Sequence, residues 1–236
     1  MNTKVWTRLV MAGLLTTSVF VVAGCGDTAE EKQAKIEKMI QDSAKQAQEQ
    51  DIALANTLSK PAPWTEAINK LKEKSELKSA PVQVSGNFVF ADKQFTVDVV
   101  KPGTKELLRY TYDLDKGVWS DGREVEIVGP GKNTIDRTFY PIDSLNVNAM
   151  IAMTEKFTQE VQSNSELKAS YRGYFSYASM GFNPDNNSFV YEVRQTANGR
   201  DDAMASEMID MVFNQDGTIT KISVKQKGTT DYKEVM

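Results

Sequence analysis

The amino-acid sequence predicts an α+β fold made of two tandem units, each a helix followed by an antiparallel β-meander. Runs rich in β-branched and aromatic residues follow a helix-like pattern twice along the chain, and such runs are typical of strands. The letters SELKSA at 75–80 also return as SELKAS at 165–170. A helix packed on an antiparallel sheet is an α+β unit. We therefore expect units at 61–130 and 141–228, side by side or fused into one curved sheet.

The first unit is predicted to hold one helix and four strands. Residues 64–80 place four apolar side chains on one helical face, namely Trp64, Ile68, Leu71 and Leu77. Strand-like runs follow at 82–90, 94–100, 106–114 and 117–128. Pro102-Gly103 and Asp115-Lys116-Gly117 separate them as turns. Residues 131–140 are predicted to link this unit to the next.

The second unit repeats this order after Pro141. Asp143 or Ser144 is predicted to cap its helix, because either side-chain oxygen can accept the free N–H groups of a first turn. Five apolar residues at helical spacing indicate a buried face: Val147, Met150, Ile151, Phe157 and Val161. Strands are predicted at 171–179, 188–196, 206–214 and 218–226, followed by a polar tail at 229–236.

The repeated order and repeated letters indicate an internal duplication. Gly117 and Gly217 stand at comparable hairpin turns. These glycines are farther apart in sequence than the two SELK segments, and an insertion such as 197–206 accounts for the difference. In outline this architecture is similar to cystatin-like and PepSY-like modules and to the half-open barrels of bacterial lipoprotein carriers. The similarity is architectural and implies no function by itself.

The N-terminus has the three parts of a secretory signal peptide. Lys4 and Arg8 precede an apolar run from Leu9 to Val22, and small residues follow. The run is shorter than the roughly 20 apolar residues that span a bilayer. Residues 1–24 are therefore predicted to be a cleaved signal peptide.

The end of this run resembles the lipobox of bacterial lipoproteins, with Val22-Ala23-Gly24-Cys25 as the aliphatic-small-small-Cys pattern. The resemblance implies that Cys25 receives a diacylglycerol, that cleavage occurs before it, and that its lipid holds the protein on the membrane. Gly26 follows the cysteine where an inner-membrane retention signal has Asp, so the resemblance favours the outer membrane in a diderm source and the outer face of the membrane in a monoderm source. An ordinary cleavable signal and a buried free cysteine are the alternatives.

Composition narrows the function classes. The net charge of −4 becomes −6 once Lys4 and Arg8 leave with residues 1–24, which argues against nucleic acid as a partner. The chain has no histidine and one cysteine, so Ser-His-Asp, Cys-His and histidine-zinc sites are excluded. We expect no enzyme activity, no cofactor and no metal.

Residues 25–60 are polar, with a thin apolar stripe. The composition predicts a helical or flexible spacer between the membrane and the folded units, ended by Pro61 and Pro63. A partner-binding or coiled-coil helix is the alternative, although few strong apolar a and d positions are present.

Two acidic patterns are candidates for metal binding or catalysis. The turns at Gly117 and Gly217 do not supply the first and twelfth ligands of an EF-type calcium loop. A second pattern is an acidic cluster of Asp201, Asp202, Glu207 and Asp210. It fits a solvated surface, and a carboxylate-based hydrolase is the alternative.

An aromatic cluster supplies the candidate interaction residues, which are Tyr171, Tyr174, Phe175 and Tyr177. On one strand, 171, 175 and 177 would share a face and Tyr174 would lie on the other. Aromatic residues on both faces indicate either core or an exposed interface.

These observations together predict a membrane-anchored, non-enzymatic module that binds a protein partner in the cell envelope. A carrier or sensor of a lipid or another apolar ligand is the alternative.

Overall fold

The computed structural model of the chain shows an α+β protein with helices and a large antiparallel sheet. It describes residues 28–104, 106–125, 139–197, 207–226, 228–229 and 231–236. The chain divides into a helical unit that ends at Gln50 and a larger unit from Asp51 to Met236.

The described helices are α1 (Ala29–Leu58), α2 (Pro61–Lys72), α3 (Val147–Ser163) and α4 (Ser165–Lys168). The described strands are β1 (Gln83–Ala91), β2 (Gln94–Val100), β3 (Leu107–Asp113), β4 (Val118–Trp119), β5 (Arg123–Glu124), β6 (Phe139–Pro141), β7 (Tyr177–Asn183), β8 (Ser188–Ala197), β9 (Glu207–Asn214), β10 (Ile219–Lys225) and β11 (Lys233–Glu234).

The helical unit starts with a reciprocal cap. The Thr28 hydroxyl accepts from the Glu31 backbone N–H at 3.3 Å, and the Glu31 carboxylate accepts from the Thr28 N–H at 2.8 Å. This capping box satisfies two N–H groups that a helix start leaves free. From Thr28 to Gln50 every side chain except that of Ile36 is exposed, so this described part of the helical unit contains no buried core.

The strands of the larger unit form one sheet. Its order is β11-β10-β9-β8-β7-β1-β2-β3-β4, with β5 paired to β3 and β6 to β1. The two predicted meanders are thus joined where β1 pairs with β7 in antiparallel register. At the centre of that pairing Val89 lies opposite Ser179. The offset between these two residues equals that between the two SELK segments, Ser75 and Ser165.

The core lies on one face of this sheet. Trp64 of α2 contacts Phe88, Phe90 and Phe95, with ring centroids 4.8 to 6.5 Å apart. Four of the five residues of the predicted α3 stripe are buried, with Met150, Phe157 and Val161 fully covered, and Val147 is partly buried. Aromatic rings bury large apolar areas and prefer such tilted contacts, so these packed rings are a main source of stability.

Equivalent lysines fix each main helix to a hairpin. Lys70 of α2 donates to the carbonyl of Gly117 at 2.8 Å, and Lys156 of α3 donates to that of Gly217 at 2.7 Å. Both glycines have positive φ, 65° and 83°, a conformation that favours glycine. The same kind of contact therefore sets helix against sheet in both halves.

Several sequence expectations are corrected. The strand expected from Tyr171 begins at Tyr177, because Gly173 has φ 86° and interrupts extended backbone before it. The cap of α3 is Asn146, whose side chain accepts from Ala149 at 3.0 Å. Asp143 and Ser144 instead lie in a 3-10 turn.

The structure also bears on Pro61 and on the tail. Pro61 lies after α1, which ends at Leu58, and is the first residue of α2; a proline suits this position because its missing N–H has no helical partner there. In the expected polar tail, Lys233–Glu234 forms β11 and pairs with β10.

Two buried tyrosines supply a matched test of the core. The Tyr140 hydroxyl donates to the Gly86 carbonyl at 2.6 Å. The Tyr191 hydroxyl is buried without a hydrogen-bond partner among the described residues. We expect Tyr140→Phe to lower the free energy of unfolding by about 1 kcal/mol, and Tyr191→Phe to leave it unchanged or raise it by about 0.5 kcal/mol.

Urea unfolding followed by tryptophan fluorescence measures both differences. A loss in Tyr191→Phe as large as that in Tyr140→Phe would show that the Tyr191 hydroxyl is hydrogen-bonded in the folded protein.

Candidate functional site

The candidate site lies on the sheet face opposite the core. Side chains alternate along each strand, and the alternate set that includes Trp119 and Phe95 faces α2. The other set lies on the sheet face opposite α2 and α3, and we call it the open face. Its members include Val89, Thr96, Asp98, Arg109, Tyr177, Ser179, Glu192, Arg194, Asp210, Val212, Lys221, Ser223 and Lys225. Three of them, Ser179, Ser223 and Lys225, are almost fully buried.

A charged cluster stands on the open face at β7, β8 and β9. Arg194 lies between two carboxylates: it forms an ion pair with Glu192 and donates to Asp210 at 3.2 Å. Its guanidinium also lies over the Tyr177 ring, 4.8 Å from the centroid. We call these four residues the Arg194 cluster. The hydrogen bond to Asp210 joins β8 to β9 and the ring contact joins β8 to β7, whereas the ion pair with Glu192 lies within β8.

The Arg194 cluster is partly buried although it lies away from the core. Side-chain exposure is 21% for Glu192, 31% for Arg194 and 15% for Asp210. Partly buried charges are costly unless they are paired and hydrogen-bonded. Here the single guanidinium of Arg194 pairs with the carboxylates of both Glu192 and Asp210.

Burial and the neighbouring Asp210 raise the pKa of Glu192 to about 7. Burial disfavours the charged carboxylate, and Asp210 adds like-charge repulsion and accepts a hydrogen bond from the protonated form. Arg194 acts in the opposite direction and is the smaller effect. Burial also raises the pKa of the Tyr177 hydroxyl. Glu192 is therefore poised to change charge near neutral pH.

The first half of the sheet carries a simpler pair at the corresponding register. Arg109 donates twice to Asp98, at 2.7 and 2.9 Å, in a bidentate bond across β2 and β3. This pair has one cation for one anion. Thr96 takes the place there that Glu192 takes in the second half, because each lies two residues before the charged residue of its strand.

The four aromatic candidates do not form one surface. Tyr174 and Phe175 are buried in the core, with Phe175 6.5 Å from Phe90 between ring centroids. Tyr171 packs on Phe157 of α3 at 6.4 Å. Tyr177 lies on the open face within the Arg194 cluster.

The acidic candidates also separate. Asp210 belongs to the Arg194 cluster, whereas Glu207 pairs with Arg172, and its strand position places it in the alternate set of Ile209. Asp201 and Asp202 lie outside the described residues. In the described parts of the chain, no group of three or more His, Cys, Asp or Glu side chains is arranged to hold a metal ion.

Sequence reasoning missed Glu192 and Arg194, which complete the cluster. A usable signal was present in 191–194, where two charged residues alternate with Tyr191 and Val193. That alternation places both charges on the face opposite the core.

A second concave feature lies between α2 and the start of α3. This depression of about 510 Å³ has mainly polar walls, lined by Thr65, Asn69, Asp143, Ser144, Asn146 and Asn148, with Ile68 and Leu145 among the apolar contributors. Its polar lining does not match an apolar ligand.

The lipidation candidate Cys25 lies outside the described residues, as does the rest of 1–27. Among the helices that the structure describes, none has the length and apolar character needed to cross a bilayer.

Comparisons with known proteins returned no match: no protein-family model, no curated protein and no solved structure is similar to this chain.

The raised pKa of Glu192 predicts how stability depends on pH. The folded protein holds a proton on Glu192 up to about pH 7, whereas the carboxyl's ordinary value is 4.5. Its contribution to stability is therefore full below pH 4.5 and is lost as pH rises through 7. We expect Glu192→Gln to gain stability relative to wild type from pH 5 to pH 8, by on the order of 1 kcal/mol because solvent screens this partly exposed group.

Urea unfolding at both pH values measures this difference, with Glu155→Gln on the exposed side of α3 as the matched control. Equal pH dependence in wild type, Glu155→Gln and Glu192→Gln would contradict the raised pKa.

Proposed function

We propose that this protein is a lipid-anchored module of the cell envelope that binds a protein partner through the open face of its sheet, without catalysis. The observation that carries the proposal is the partly buried Arg194 cluster on the sheet face opposite α2 and α3. A stable antiparallel sheet needs only one face packed on a core. The charges of the Arg194 cluster keep 15 to 31% side-chain exposure on the other face, and this exposed part is the surface that we propose for recognition.

The open face also has the composition of an interface. It combines apolar Val89 and Val212, the aromatic Tyr177 and the guanidinium of Arg194. Tyrosine and arginine are enriched where proteins bind one another. Since the chain has no histidine and its one cysteine is the proposed lipid attachment site, binding is the function that these residues support best.

The alternative function, carriage of a lipid or another apolar ligand, receives less support. The space between helices and sheet is occupied by packed rings around Trp64, and the depression beside α2 has polar walls. An apolar carrier needs an apolar cavity.

We also propose that the larger unit arose by tandem duplication of a cystatin-like or PepSY-like helix-plus-meander unit. Support comes from the antiparallel pairing of β1 with β7, the matched offset of Val89 and Ser179, and the lysine-to-glycine bonds of both halves. In such an arrangement the open face extends over both helix-plus-meander halves of the larger unit.

Site-specific photo-crosslinking in living cells tests the binding surface. A crosslinking residue at Val89 or Thr96, both on the open face, is expected to give the same discrete protein adduct. At Glu155 and Gln159, exposed on α3, the residue is expected to give none. The adduct is then identified by mass spectrometry, and its affinity for purified wild type is compared with that for Val89→Asp, which we expect to bind at least about 10-fold more weakly.

Adducts at the α3 positions only, or no adduct at any open-face position, would show that the open face is not the binding surface. Circular dichroism of Val89→Asp separates lost binding from lost folding.

A separate experiment tests the proposed lipid anchor on Cys25. Mature wild-type protein is expected in the membrane fraction with a diacylglycerol on the Cys25 thiol, since two or more acyl chains hold a protein firmly. Cys25→Ser is expected to lack the lipid and to remain an uncleaved precursor. Mass spectrometry of the N-terminal peptide measures both, and unmodified Cys25 in membrane-bound mature protein would rule out the anchor.

A further inference from the structure

We draw no further inference here: the strongest candidate, the polar depression between α2 and the start of α3, has polar side chains that are all exposed, three of which (Asp143, Ser144 and Asn146) already bond to groups of the chain itself, and nothing in the described part of the structure shows what would occupy it.

Discussion

The antiparallel pairing of β1 with β7 is the interaction on which the rest of the structure depends. It joins two meanders that would each leave an unpaired edge strand, and unpaired edges are a liability. Because residues alternate across this joint, Phe88 and Phe90 of β1 and Ala178 and Met180 of β7 all face the core. Both helices can then cover one continuous face, and the opposite face is continuous as well.

The helices occupy one face because their fixing points lie there. Lys70 and Lys156 reach the carbonyls of Gly117 and Gly217 at the far hairpins of the two meanders, while Trp64 fills the space over β1 and β2. A hydrogen bond from a lysine to a carbonyl forms only over a narrow range of distances, so it limits the separation of helix and hairpin. The position of the open face is therefore a consequence of how the core is held.

The class of the fold and most strands can be predicted from the sequence, but the candidate site cannot. Alternation in 94–100 and 188–196 gave β2 as observed and β8 to within one residue. The aromatic run from Tyr171 resembles a strand locally, yet Gln195 holds the backbone of Ser170 and Arg172 at 2.8 and 2.7 Å. That contact comes from β8 and cannot be read from the run itself. The Arg194 cluster likewise depends on the register of β8 with β9, which one strand's pattern does not fix.

The charge asymmetry of the open face comes from one position. At matching points of the two halves, β2 and β3 carry Asp98 and Arg109, while β8 and β9 carry Arg194 and Asp210 in reversed order. Reversal alone leaves both pairs neutral. The difference is Glu192, which stands where the first half has Thr96 and adds a second carboxylate to an already satisfied pair. A neutral residue in place of Glu192 would not lower the stability of the fold, since Arg194 would still pair with Asp210. Burial and Asp210 both oppose the charged form of Glu192, so stability does not require this carboxylate, and the proposed binding function would account for it.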